Sequence, residues 1–91
     1  MNPTATVLAA NLGYEYRWND ITNDISLRLT GGSQTMYITI VSMNDAWTNY
    51  SVCVDIWQGL NHIYEAEDVE VLDMERFLSH MKDAFIGAKL N

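Results

Sequence analysis

From Tyr14 onward the chain alternates between apolar and polar positions. Tyr14, Tyr16 and Trp18 are separated by Glu15 and Arg17, a period of two that predicts a strand with one aromatic face. After a break at Asn19 and Asp20, Ile25, Leu27 and Leu29 alternate with Ser26, Arg28 and Thr30, and beyond Gly31-Gly32 the pattern resumes with Met36, Ile38 and Ile40 around Tyr37 and Thr39. Two such runs joined by a glycine pair predict a β-hairpin. A polar loop from Asn44 to Asn49 carries Trp47. Val52, Val54 and Ile56 then alternate with Ser51, Cys53 and Asp55 up to a turn at Gln58-Gly59. Leu60 to Ala66 reads as a further strand in which Leu60 and Ile63 fall out of register, the signature of a bulge or an irregular start.

Helical spacing occupies the two ends. Asn2 and Pro3 suit a helix entry, Val7, Leu8 and Leu12 share a face, and Gly13 supplies a stop, so residues 3–12 are expected to be helical. Asp73 is a good N-cap, Glu75 complements the helix dipole, and Met74, Phe77, Leu78, Met81, Phe85 and Ala88 recur at helical intervals. This helix is expected from Asp73 to about Ile86, with Gly87 as its terminator and Ser79, His80, Lys82 and Asp83 facing outward. Each helix has one apolar stripe, which a single sheet face satisfies. The expected class is therefore α+β: one domain over residues 1–91, an antiparallel sheet of four or five strands in meander order, and an N-terminal and a C-terminal helix on one face.

Composition narrows the functional classes. With 48% hydrophobic residues and one proline the 91-residue chain is globular and not disordered. Twelve acids against five Lys and Arg give a net charge of -7, which opposes a phosphate backbone, so no direct nucleic-acid binding is expected; such a field steers toward basic partners. No apolar run approaches the roughly 20 residues that span a bilayer, and Met1 to Ala10 lack the basic residues of a signal peptide. A soluble, cytoplasmic protein without a membrane role is expected.

Candidate chemistry is sparse. Neither His62 nor His80 has a partner at a recognised ligand spacing, and Cys53 stands alone, so no metal and no cofactor are expected. Cys53 lacks an activating neighbour, Ser33 lies in no nucleophile motif, and Gly31-Gly32-Ser33-Gln34 joins two strands instead of leading into a helix as phosphate loops do. No catalytic residues emerge, and the chain is expected not to be an enzyme.

The unusual feature is an acid run: Glu65, Glu67, Asp68, Glu70, Asp73 and Glu75, six of the twelve acids, fall within eleven residues with no basic residue before Arg76. No glycine lies there to make a calcium-binding EF-hand loop. Two readings stand, a solvated connecting segment or a surface that meets a basic protein. Acids two apart in an extended chain lie roughly 6.5 to 7 Å apart on one side, comparable to successive phosphates of one nucleic-acid strand. Trp47, Trp57 and Tyr37 are the aromatic interface candidates, because tryptophan and tyrosine remove much apolar surface while keeping a polar atom.

These features assemble into a non-enzymatic acidic binding protein that occludes a basic site on a nucleic-acid-handling enzyme or a toxin, through Glu65, Glu67, Asp68, Glu70 and Asp73. In size, acidity and layout the chain is similar in type to small inhibitors such as anti-CRISPR, antirestriction and bacterial immunity proteins, with no shared motif. The alternative is an assembly module that forms a homodimer through an open sheet face bearing Tyr37, Val41 and Trp57.

Overall fold

The computed structural model describes the backbone of residues 4–46 and 48–90 and the side chains of residues 5–46 and 48–85. The Asn2-Pro3 helix entry and Trp47 lie outside the described residues. Helix α1 (Thr4–Asn11) is followed by strands β1 (Glu15–Asn19), β2 (Asp24–Gly31), β3 (Gln34–Ser42), β4 (Tyr50–Gln58) and β5 (Asn61–Val71), and by helix α2 (Met74–Leu90). The strands form one antiparallel sheet in the order β1-β2-β3-β4-β5. Both helices pack on one face, as the apolar stripes require.

The alternation seen in the sequence sets the two faces. Ile25, Leu27, Met36, Ile38, Ile40, Val52 and Val54 are buried under the helices, and Met74, Leu78 and Phe85 of α2 close over them. Two-residue turns fix the register of the hairpins: Gly31 pairs with Gln34 and Gln58 with Asn61, and Gly32 and Gly59 take φ of 59° and 60°. A side chain at these φ values would be strained, which is why glycine stands there.

Three expectations for the helices change. The buried stripe of α1 is Ala5, Thr6 and Ala9, with Leu8 and Leu12 half-buried, while Val7 is 51% exposed. At 3.6 residues per turn Val7 sits about 200° around the helix from both Ala5 and Ala9, so small residues face the core and bring α1 close. The end of α1 is as expected, with Gly13 at φ 89° and bonds from Tyr14 N to Ala9 O (2.9 Å) and Gly13 N to Ala10 O (3.1 Å), a Schellman ending. Helix α2 runs past Gly87 to Leu90, since an interior glycine costs a helix only about 1 kcal/mol. Lys82 does not face outward: its Nζ donates to the Leu12 carbonyl at the end of α1, tying the helices together.

Tyr14 makes a second tie, its buried hydroxyl donating to the Leu78 carbonyl at 2.9 Å. Burial, reinforced by Asp83, pushes its phenol well above the ordinary range. The folded state holds this proton more tightly than the unfolded chain does, so the contribution is full below about pH 10 and is lost as pH rises further. Tyr14→Phe should therefore flatten the loss of urea resistance above about pH 10, leaving a residual slope from Tyr50, whose phenol burial also raises. An unchanged alkaline slope would show that the Tyr14 phenol titrates alike in the folded and unfolded states.

Candidate functional site

The acid run is not a connecting segment. Glu65, Glu67, Asp68 and Glu70 lie on β5, which continues to Val71. The expected return strand ends at Ala66, because the charge density masks the alternation beyond it.

Two irregularities in the β4–β5 pairing decide where those acids point. Opposite β4, the register runs Glu65 with Asp55 and Ala66 with Val54, then resumes with Val69 at Val52 and Glu70 at Ser51. Glu67 and Asp68 thus occupy the space of one residue, and Asp68 takes φ 52°, a bulge in a conformation that Asp tolerates better than most residues. The bulge inverts the parity of the residues after it. Without it Val69 would share a face with Glu65 and Glu67, and Glu70 would turn toward the helices; with it Glu65, Glu67 and Glu70 share the outer face. A second shift, between Ile56 and Trp57 and opposite Ile63, likewise places His62 beside Trp57 on that outer face.

The result is a cluster on the outer side of β4 and β5. The Trp57 and His62 rings stack with centroids 4.5 Å apart and planes 15° apart. His62 Nε2 lies 2.8 Å from Asp55 Oδ1, and Nδ1 lies 3.5 Å from Glu65 Oε2. Sequence reasoning missed this trio because its members meet across a turn, at no recognised motif spacing. Its signal was the pairing of the hairpin around Gln58-Gly59, which sets Asp55 opposite Glu65 and Trp57 opposite His62. Asp55, His62 and Glu65 have ligand atoms within 4.8 Å of one another, a set of donors that could hold a cation. However, the imidazole is shared between two carboxylates through both nitrogens, and only one nitrogen can serve a given ion. When protonated, His62 answers both acids.

Beyond His62 the acids are uncompensated. Among the described residues no Lys or Arg pairs with Glu65, Glu67, Asp68 or Glu70, whereas at the other end of the same face Arg28 Nε donates to Glu15 Oε2 at 2.8 Å. A shared proton and repulsion from Glu65, with smaller contributions from Asp68 and Asp55, hold the Glu67 carboxyl above its ordinary range. Its ionisation is less favourable in the fold than in the unfolded chain, so stability is present at low pH and is lost as pH rises through the raised value. Glu67→Gln, which keeps a hydrogen-bond donor and removes the charge, should raise the melting temperature slightly at neutral pH and low salt. Disappearance of that gain in concentrated salt would identify it as electrostatic.

The remaining candidates separate. Trp57 and Tyr37 are both exposed on the outer face, where they line one shallow depression with Ser33, Thr35 and Gly59. Val41 is exposed on the same face. Asp73 belongs to the other side of the molecule: its Oδ1 accepts from Arg76 N at 3.1 Å and its carbonyl from Phe77 N at 3.0 Å, so it caps α2. The chain matches no family model, no curated protein and no solved structure. No helix among the described residues is long and apolar enough to cross a membrane.

Proposed function

We propose that the protein is a non-enzymatic binding protein whose acidic β4–β5 surface occupies a basic site on a partner protein, such as the nucleic-acid channel of an enzyme or a basic face of a toxin. The observation that carries this reading is the bulge at Glu67 and Asp68, which gathers Glu65, Glu67 and Glu70 on one face beside Asp55. The same slip turns Val69 and Val71 toward the core, and its consequence for function is that three carboxylates stand side by side with no Lys or Arg paired to them among the described residues. The raised Glu67 carboxyl records their repulsion, and a cationic partner would relieve it. Trp57, stacked and therefore held in place, supplies an apolar anchor at the edge of the charged patch.

Affinity capture from the host lysate, run in parallel with the parent and with a protein carrying Glu65→Lys, Glu67→Lys and Glu70→Lys, tests the reading. A basic protein retained by the parent and lost by the variant supports it; identical captured proteins end it. The exposure of Tyr37, Val41 and Trp57 on one open face favours self-association as the second reading. Solution mass distinguishes the two, because a stable dimer abolished by Trp57→Ser would assign the face to a second copy.

A further inference from the structure

We propose that the groove between α2 and the helix-side face of β5 docks one amphipathic helix of a basic partner. The inference rests on the reading that the partner is basic and adds how and where it is held. A helix on a sheet covers about two strands, given strand spacings near 4.8 Å and helix separations of 8–10 Å. Helix α1 lies against β1 and α2, and α2 approaches β2, while between α2 and the β5 edge the surface opens into depressions lined from both elements. Exposure marks the gap: Val52 on β4 is buried, but Val69 opposite it on β5 is 37% exposed, and Tyr64, opposite the half-buried Ile56, is 49% exposed. Leu72, at the turn into α2, is 67% exposed.

The groove runs the length of this gap in two segments joined at His80. One, of about 650 Å³, has Val69, Val71, Leu72 and Phe77 as its apolar lining; the other, of about 430 Å³, is lined by Ile56, Ile63, Tyr64, Met81 and Phe85. An elongated apolar trough suits a helix stripe of anchors at i, i+3, i+4 and i+7. An added strand suits it less, because the shifts opposite Ile63 and at Glu67-Asp68 interrupt the free edge of β5. Charge selects the occupant. Asp73 and Asp83 line the first segment against a single Arg76, and β5 carries Glu65, Glu67 and Glu70 just across its width on the outer face. A second copy would bring another net charge of -7, whereas a helix with Lys or Arg flanking its apolar stripe meets acid on both sides.

The probes are three synthetic peptides of about 18 residues: an amphipathic Leu/Lys helix, its Leu/Glu counterpart, and a scrambled Leu/Lys sequence without a stripe. Titration into isotope-labelled protein at physiological salt should give binding by the amphipathic Leu/Lys peptide, with amide shifts centred on Tyr64, Val69, Leu72, Phe77 and Met81. Tyr64→Ser with Leu72→Ser should weaken it at least about tenfold without lowering the melting temperature, since both side chains are exposed in the free protein. Several results overturn the groove: unchanged binding by that double variant, equal binding by the scrambled or the Leu/Glu peptide, or a dimer abolished by Leu72→Ser. Shifts confined to Trp57, Glu65 and Glu67 would remove the groove and leave the acidic-surface reading standing. Failure of every basic peptide to bind would remove both.

Discussion

Leu78→Ala is expected to destabilise the protein by about 2–5 kcal/mol and Phe85→Ala by about 3–5 kcal/mol, a large part of the roughly 5–15 kcal/mol that holds a typical domain folded. Leu78 is wholly buried, and Phe85 nearly so, in the layer between α2 and the sheet. Truncation removes apolar area from that layer and leaves a cavity that a sheet tied by four ladders cannot collapse to fill. Phe77→Ala should cost less, because Phe77 is only half-buried and borders the open groove beside β5. Urea denaturation followed by circular dichroism would order the three variants. Leu78→Ala and Phe85→Ala proteins that both unfold at the parent's midpoint would show that α2 is not packed as described.

Charge reversal at Glu65, Glu67 and Glu70 is expected to have the largest functional effect. With Lys at all three positions, association with a basic partner should slow roughly 10- to 100-fold at low ionic strength, since electrostatic steering sets on-rates over that range. The difference should shrink near 0.15 M salt, where the Debye length falls to about 8 Å. The melting temperature should stay close to that of the parent or rise slightly, because exposed charges contribute little to stability and the reversal relieves repulsion around Glu67. Trp57→Ala should act on the other rate, raising dissociation with little change in association, as loss of an apolar anchor does. An on-rate indifferent to both the reversal and salt would leave the acids as a solubilising surface and nothing more.

Much of the site was legible, but not its arrangement. The acids, Trp57 and Tyr37 stand out by type, and the alternation around Tyr37 and Trp57 already assigns them to the face away from the helices. Asp73 was legible twice over, as an N-cap and as a charged contact; the structure shows the cap directly. The contact of Asp55 with His62 carries no such signal, since a hydrogen bond across a hairpin leaves no spacing that distinguishes it from chance. The groove was equally hidden. Tyr64, Val69 and Leu72 look like ordinary core residues in a sequence, and only the position of α2, packed on α1 and toward β2, leaves them exposed.

The sequence by itself determined the class of this protein: alternation specified the strands, the glycine turns joined neighbours into a meander, and the single apolar stripe of each helix required one shared sheet face. Those signals are local, carried by residues two to four positions apart, and local geometry answers to them. Tertiary structure alone decided the face that each acid of β5 presents and the part of the sheet that α2 leaves bare. One residue of slip at Glu67 and Asp68 inverts every side chain of β5 after it. That slip is set by the pairing of Val69 with Val52 and of the buried Val71 with Tyr50, contacts between strands that the sequence does not label. The lateral placement of α2 follows from Ala5 and Ala9, whose small side chains draw α1 in, and from the Lys82 and Tyr14 ties that fix the two helices to each other.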